Sequence, residues 1–204
     1  MQTETASIAN DFLPIVLNFQ DVLEEISNDE FENLCRHNPD LQIELTEEGE
    51  LVIMPPAGGQ TGIRNFSLIV EFGNWAERNK GGVAFDSSTV FNLPNGAKRS
   101  PDLAWVRKER WEKLTDEEQE KFPPICPDFL VELRSPSDSL KNLQYKMTEY
   151  IENEASLGWV IDRIEKSVHV YWANGEIEIL ENPEIVSGEP LLENFSLKME
   201  KIWS

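Results

Sequence analysis

The sequence predicts an α/β (α+β) protein, on three observations. Apolar residues recur at helical spacing in two long stretches, about Thr61 to Asn79 and Asp138 to Glu154. Around them lie short apolar runs bounded by turn signals, among them Pro94-Asn95-Gly96 and Asn174-Gly175. The order reads hairpin, helix, three strands with an insertion, helix, then more strands, without an internal repeat or low-complexity segment. A chain of 204 residues is long enough for one good-sized domain, burying roughly 70% of its unfolded surface with no need of staples. Residues 1–20 read as a loosely ordered arm and 21–204 as a single domain.

The elements follow in order. The arm contains a short apolar piece, Leu13 to Leu17. Ser27-Asn-Asp-Glu30 is a capping box, in which the serine hydroxyl takes an early helix N–H and the glutamate reaches back. A short helix through Phe31, Leu34 and Cys35 follows, stopped near Asn38-Pro39. Leu41–Leu45 and Leu51–Met54 form a hairpin around Glu47-Glu-Gly-Glu50. The long helix carries Ile63, Phe66, Val70 and Gly73 on one face and Leu68, Phe72 and Trp75 on another, so both faces are expected to be covered. Lys80-Gly81-Gly82 stops it. Val83–Asp86 is a short strand. Thr89–Leu93 and Asp102–Val106 read as a hairpin across Asn95-Gly96. Residues 107–121 are charged and read as helix, broken by Pro123-Pro124. Residues 128–134 form the central strand. Leu140, Leu143, Met147, Tyr150 and Ile151 mark the next helix. Gly158–Ile161 and Ser167–Trp172 are strands about a turn, Ile177–Leu180 another, and the tail reads as irregular.

The formal net charge is −20, which favours solubility, repels polyanions and argues against a nucleic-acid binder working by bulk electrostatics. A local basic cleft or metal ions in a site would escape that argument. Cys35 and Cys126 read as reduced thiols of a cytoplasmic protein. No run approaches the ~20 apolar residues of a membrane span, and the N-terminus lacks a basic segment followed by an apolar one. His37 and His169 are isolated, with no zinc spacing. There is no phosphate loop of P-loop type and no Gly-x-Ser-x-Gly elbow.

Chemistry is suggested by the central strand. Glu132 interrupts Phe129-Leu-Val-Glu-Leu133, and burying an unpaired carboxylate is costly, so a cation or a buried base should meet it. Asp102 lies at the edge of another strand, behind Pro101. Two converging carboxylates repel unless something positive lies between them. Mg²⁺ answers this, since it takes oxygen ligands from one or two carboxylates plus waters and phosphate. Arg134 shares the Glu132 side of the strand and is a phosphate binder rather than a base. Lys146 lies on the next helix at the flank of the apolar stripe, where its stem can cross apolar surface toward the sheet. Lys141 points away, and Gln144, Glu71 and Asp86 are weaker candidates. Plainer readings exist: Asp102 caps a turn, Glu132 pairs with Arg134 on an exposed face, and Lys146 is solvated.

Ser100-Pro-Asp-Leu-Ala-Trp-Val106, Arg110-Trp111, Cys126-Pro-Asp-Phe-Leu-Val-Glu-Leu-Arg-Ser-Pro-Ser-Asp138, Lys146-Met-x-Glu-Tyr150 and Gly158-Trp-Val-Ile-Asp162 resemble the Uma-type restriction endonuclease family. So do Gly59-x-Thr-Gly62, Ala84-Phe-Asp-Ser-Ser-Thr89 and Leu93-Pro-Asn-Gly96. That family is similar in fold to the PD-(D/E)XK nucleases. The resemblance implies a restriction endonuclease-like fold, a central mixed β-sheet flanked by helices. It assigns Asp102 as the metal-binding aspartate and Glu132 as the acid of the E-x-K element. The chain departs from the pattern at the lysine, where Arg134 stands, so either Lys146 supplies that function from the helix or the site is impaired. The expected function is therefore a Mg²⁺-dependent (or Mn²⁺-dependent) DNA endonuclease. Its metal would be held by Asp102 and Glu132, its water oriented by Lys146 and its phosphate contacted by Arg134. A homodimer would suit cutting of both strands. The rival expectation is a non-catalytic, nuclease-like module that binds a partner or self-associates, and a weaker third is a hydrolase of a smaller phosphodiester.

Overall fold

In a computed structural model that describes residues 13–18 and 26–204, the chain begins with β1 (Ile15–Asn18), α1 (Asn28–His37), β2 (Gln42–Leu45), β3 (Glu50–Met54) and α2 (Gly59–Asn79). It continues through β4 (Gly82–Asp86), β5 (Phe91–Asn92), β6 (Lys98–Arg99), β7 (Leu103–Arg107), α3 (Lys108–Trp111) and α4 (Asp116–Glu120). After β8 (Phe129–Leu133), α5 (Leu140–Glu152), β9 (Leu157–Asp162), β10 (Ser167–Trp172) and β11 (Ile177–Glu181) it closes with β12 (Ile185–Ser187), β13 (Ser196–Lys198) and α6 (Glu200–Trp203).

The central sheet has the order β11-β10-β9-β8-β7-β4. β8 and β9 run parallel, joined by α5 as a crossover, and the other neighbours are antiparallel, so the sheet is mixed. The pleat sends alternate residues to opposite faces. Phe129, Val131 and Leu133 of β8 join Leu68, Phe72 and Trp75 of α2 on one side. Leu130 joins Met147 and Tyr150 of α5 on the other. An antiparallel sheet of order β1-β3-β2-β6-β5 adjoins it. Its own smaller core holds Phe31, Ile43, Leu45, Leu51 and Val90. Among the described residues no helix is long and apolar enough to cross a membrane.

Several expectations hold and several are corrected. The Ser27–Glu30 capping box forms, with both reciprocal hydrogen bonds. The stretch read as a loose arm contains an edge strand, because Ile15–Asn18 pairs in register with Glu50–Ile53 of β3; residues 1–12, 19 and 20 of that arm lie outside the described residues. The turn at Asn95-Gly96 joins β5 to β6, not to β7. The chain leaves the smaller sheet at Ser100-Pro101 and enters the central sheet as β7, between β4 and β8. Pro101 can donate nothing to a ladder, which suits a corner between sheets. Residues 107–121 make two short helices instead of one, because Thr115 caps a new start at α4 with its own capping box. The buried Asp128 carboxylate receives Arg107 and Arg110, which ties this insertion to the central strand. On α2, Leu68, Phe72 and Trp75 are buried, but the second apolar face stays open: Ile63, Phe66 and Val70 are exposed. The tail is not irregular. β12 and β13 pair, and Leu197 and Ile202 of the tail enter the core beneath α2.

Candidate active site

Asp102 precedes β7 by one residue. The antiparallel register Leu103↔Val131 continues to set it level with Glu132 of β8. Its Oδ2 accepts the Leu133 N–H at 2.7 Å and its Oδ1 accepts the Asn65 side-chain amide at 2.9 Å. One carboxylate thus fastens the start of β7 to the end of β8 and to α2.

Glu132 lies on the face of β8 that α5 covers. The Lys146 ammonium reaches it from α5, with Nζ 2.8 Å from Glu132 Oε1. The same Nζ lies 2.7 Å from Glu44 Oε1, which arrives from β2 of the smaller sheet. Glu44 also accepts the Ser100 N–H at 2.8 Å and faces Arg99 Nη1 at 3.3 Å. The Nε of Arg99 donates to Glu149 Oε2 at 2.6 Å. Tyr150 donates its hydroxyl to Glu132 Oε1 at 3.2 Å. Charges therefore alternate along a buried chain, Glu149, Arg99, Glu44, Lys146, Glu132. The Lys146 side chain is the most open member at 12% exposure.

The protonation states follow from this packing. Burial pushes the Glu132 carboxyl up, and the Asp102 and Glu44 carboxylates push further; against Lys146, the result is a rise to about 7. Burial likewise raises Asp102, although the Leu133 N–H and Lys146 oppose it. Burial would raise Glu44 too, but Lys146 and Arg99 outweigh it and hold Glu44 below the usual carboxylate range. Burial works against the charge of Lys146, yet Glu132 and Glu44 together hold it protonated well beyond an ordinary lysine. The site therefore contains a fixed ammonium and two carboxyl groups that burial pushes toward the neutral form.

Of the residues singled out in the sequence, Glu132 and Lys146 meet directly, and Asp102 joins them through the β7–β8 corner. Arg134 does not pair with Glu132. It lies just past β8, where its Nη1 meets the buried Asp162 Oδ2 at 2.6 Å and its Nε donates to the Asp138 carbonyl at 3.2 Å. Gln144 contacts His169, Glu71 pairs with Lys201 at the surface, and Asp86 caps its own turn at Ser88. Glu44, Arg99 and Asn65 were missed. In Gln42-Ile-Glu-Leu45 the glutamate sits at a polar place in an alternating strand, which reads as a solvated face; only the packing of the two sheets covers it.

Among the described residues no group of three or more His, Cys, Asp and Glu side chains is arranged to hold a metal ion. A cation here would rest on Asp102 and Glu132, with water and ligand oxygens completing its shell, a donor set that suits Mg²⁺ better than zinc. The donors fit: both are carboxylates, each keeps lone pairs that its hydrogen bonds leave unused, and burial pushes both toward the neutral form, a shift that a bound cation would oppose.

A mixed sheet between helices, with these acids at adjoining strand ends and a lysine on the crossover helix, defines a restriction endonuclease-like fold. The chain belongs to the Uma2 family, described as "Putative restriction endonuclease", whose sequence model matches residues 28–200. Among solved structures it is similar to a putative nuclease belonging to DUF820 from Anabaena variabilis ATCC 29413, at 20% identity and a TM-score of 0.72, covering 87% of this chain and 97% of that one. No curated protein matches it.

Proposed function

We propose that the protein is a divalent-metal-dependent DNA endonuclease, with Mg²⁺, or Mn²⁺ in its place, held by Asp102 and Glu132. The observation that carries this reading is the pairing of Glu132 with Lys146 at 2.8 Å, which brings a lysine from α5 to the acid whose own strand offers only Arg134. When bound, such an ion polarises a phosphoryl oxygen and acidifies a water. The chain's own groups would do the rest. Lys146, held as an ammonium, would orient the attacking water and offset phosphate charge without taking a proton. Asn65 and the Leu133 N–H would fix the orientation of Asp102. Arg134 would contact phosphate with those of its five donors that Asp162 and Asp138 do not use.

The test is a Mg²⁺ or Mn²⁺ titration by calorimetry of the wild type and Asp102→Ala, with plasmid nicking on the same samples. The expected outcome is binding and nicking in the wild type and neither in the variant. No binding at millimolar metal, with the fold intact, would overturn it. That result would favour the second reading, a non-catalytic module that self-associates. One observation supports that alternative: the open stripe of Ile63, Phe66 and Val70 on α2, with Phe66 68% exposed, is of a kind that marks interaction sites.

A further inference from the structure

Asn65 brings a bare oxygen to Asp102. It lies half-buried on α2, and its amide Nδ2 donates to Asp102 Oδ1 at 2.9 Å. An ionised carboxylate only accepts, so this bond fixes which way the amide points. The other end of the amide, Oδ1, is buried and has no hydrogen-bond partner among the described residues. An acceptor left in that state is costly, and nearly all buried polar groups of folded proteins find a partner.

The bare oxygen is close to the acid. The nitrogen and oxygen of one amide are about 2.2 Å apart, so Asn65 Oδ1 lies within about 5 Å of Asp102 Oδ1. Asp102 receives the Leu133 N–H on its Oδ2, and its Oδ1 keeps a lone pair that Asn65 does not use. Two oxygens that call for a positive or donating neighbour therefore stand side by side. The Lys146 ammonium is engaged elsewhere, by Glu132 and Glu44. Mg²⁺ takes its ligands at about 2.1 Å in an octahedron and keeps several waters, so neighbouring oxygens of its shell are about 3 Å apart. A water on an ion held by Asp102 Oδ1 can thus reach an acceptor placed where Asn65 Oδ1 is.

We propose that Asn65 is a positioning residue of the metal site: its Oδ1 accepts a hydrogen bond from a metal-bound water while its Nδ2 holds Asp102. The assignment rests on the metal reading above and adds to it the group that orients the water. A partner of this kind fixes both the ligand and the shell around an ion. Its mount is rigid, because α2 is packed into the core through Leu68, Phe72 and Trp75. A neutral amide also suits the place better than a further acid, which would repel Asp102.

The test titrates Mn²⁺ by calorimetry into the wild type, Asn65→Leu and Asn65→Asp, with melting temperatures recorded with and without the ion. Wild-type crystals grown with Mn²⁺ locate the ion and its waters. Asn65→Leu should lose roughly ten- to a hundredfold in affinity. Asn65→Asp keeps an acceptor and should retain affinity, while its melting temperature without metal falls because two carboxylates then face each other. In the crystal, a water on the ion should lie within about 3.2 Å of Asn65 Oδ1. Unchanged affinity in Asn65→Leu would overturn the proposal, since Oδ1 would then meet an ordinary buried water. Equal losses in both variants would overturn it too, because only the N–H to Asp102 would matter. So would a crystal in which the ion has no water at Oδ1, whatever the variants do. Plasmid nicking scores the nuclease reading separately. Nicking that Asp102→Ala abolishes, with metal affinity indifferent to Asn65, would remove the role of Asn65 and leave the nuclease. Asn65-dependent Mn²⁺ binding without nicking would do the reverse, and a wild type that binds no Mn²⁺ at millimolar concentration would overturn both.

Discussion

Glu132 and Glu44 share one lysine and are opposites in energy. Glu44 is surrounded by Lys146, Arg99 and the Ser100 N–H, so its charge is satisfied and its pKa is held low. That stability is present above the ordinary carboxylate pKa and is lost as pH falls. Glu44→Gln should therefore destabilise the fold at neutral pH, by about 3–5 kcal/mol as for other broken buried pairs. Glu132 has its carboxyl raised from 4.5 to about 7, so between those values the folded state holds the extra proton. Stability then falls as pH rises through that window, and the full penalty stands above it. Glu132→Gln should melt higher than the wild type above pH 7, by about 1–3 kcal/mol given ~1.4 kcal/mol per pKa unit. The gain should vanish toward pH 4.5. Thermal melts of both variants across pH check this, and a Glu132→Gln that melts lower at pH 8 would mark Glu132 as an ordinary structural ion pair. A side chain that costs the metal-free fold stability is what a binding group looks like.

At the scale of elements, the position of Lys146 depends on how closely α5 lies on β9. Gly158 permits that approach: a Cβ there would come 2.1 Å from Met147 Sδ, and Met147 is the residue after Lys146. Gly158→Ala should force the helix or the methionine outward and cost about 1–3 kcal/mol, as overpacked cores do. Paired with Met147→Ala it should cost less than the two separate losses added, since the methyl would fill part of the space vacated. Melting temperatures of the three variants test this. The long helices α2 and α5 were readable from periodicity, as were α1 from its capping box and β8 from its apolar run; the split of 107–121 into α3 and α4, and α6 in the tail, were not. The expected β5–β7 hairpin was not right, because Asn95-Gly96 specifies a turn and not which later strand answers it. The covered second face of α2 was not right either, since periodicity identifies an apolar stripe without saying what lies against it.

For the whole molecule, a charge of −20 means self-repulsion in the folded state. Raising sodium chloride from about 0.01 to 0.15 M shortens the screening length from ~30 to ~8 Å and should raise the melting temperature of the metal-free protein. A fall over that range would mean that attractive surface pairs such as Arg36–Glu32 and Lys121–Glu117 outweigh the repulsion. The net charge also made nucleic acid an awkward partner on composition alone. Composition averages over the surface, while Lys146 and Arg134 put positive charge at one end of one sheet.

The sequence by itself determined the fold class, because hydrophobic period and turn chemistry are local properties written residue by residue. It also singled out Asp102, Glu132 and Lys146, since a charge inside an apolar strand and a lysine on a helix flank are visible without coordinates. Only the tertiary structure decided the partners: Glu44 and Arg99 come from a second sheet, Asn65 comes from α2, and Arg134 turns to Asp162. The physical reason is that ion pairing and desolvation depend on distances of a few ångströms between segments far apart in the chain. Local pattern fixes which face a side chain takes, and the docking of sheets and helices fixes what it meets there.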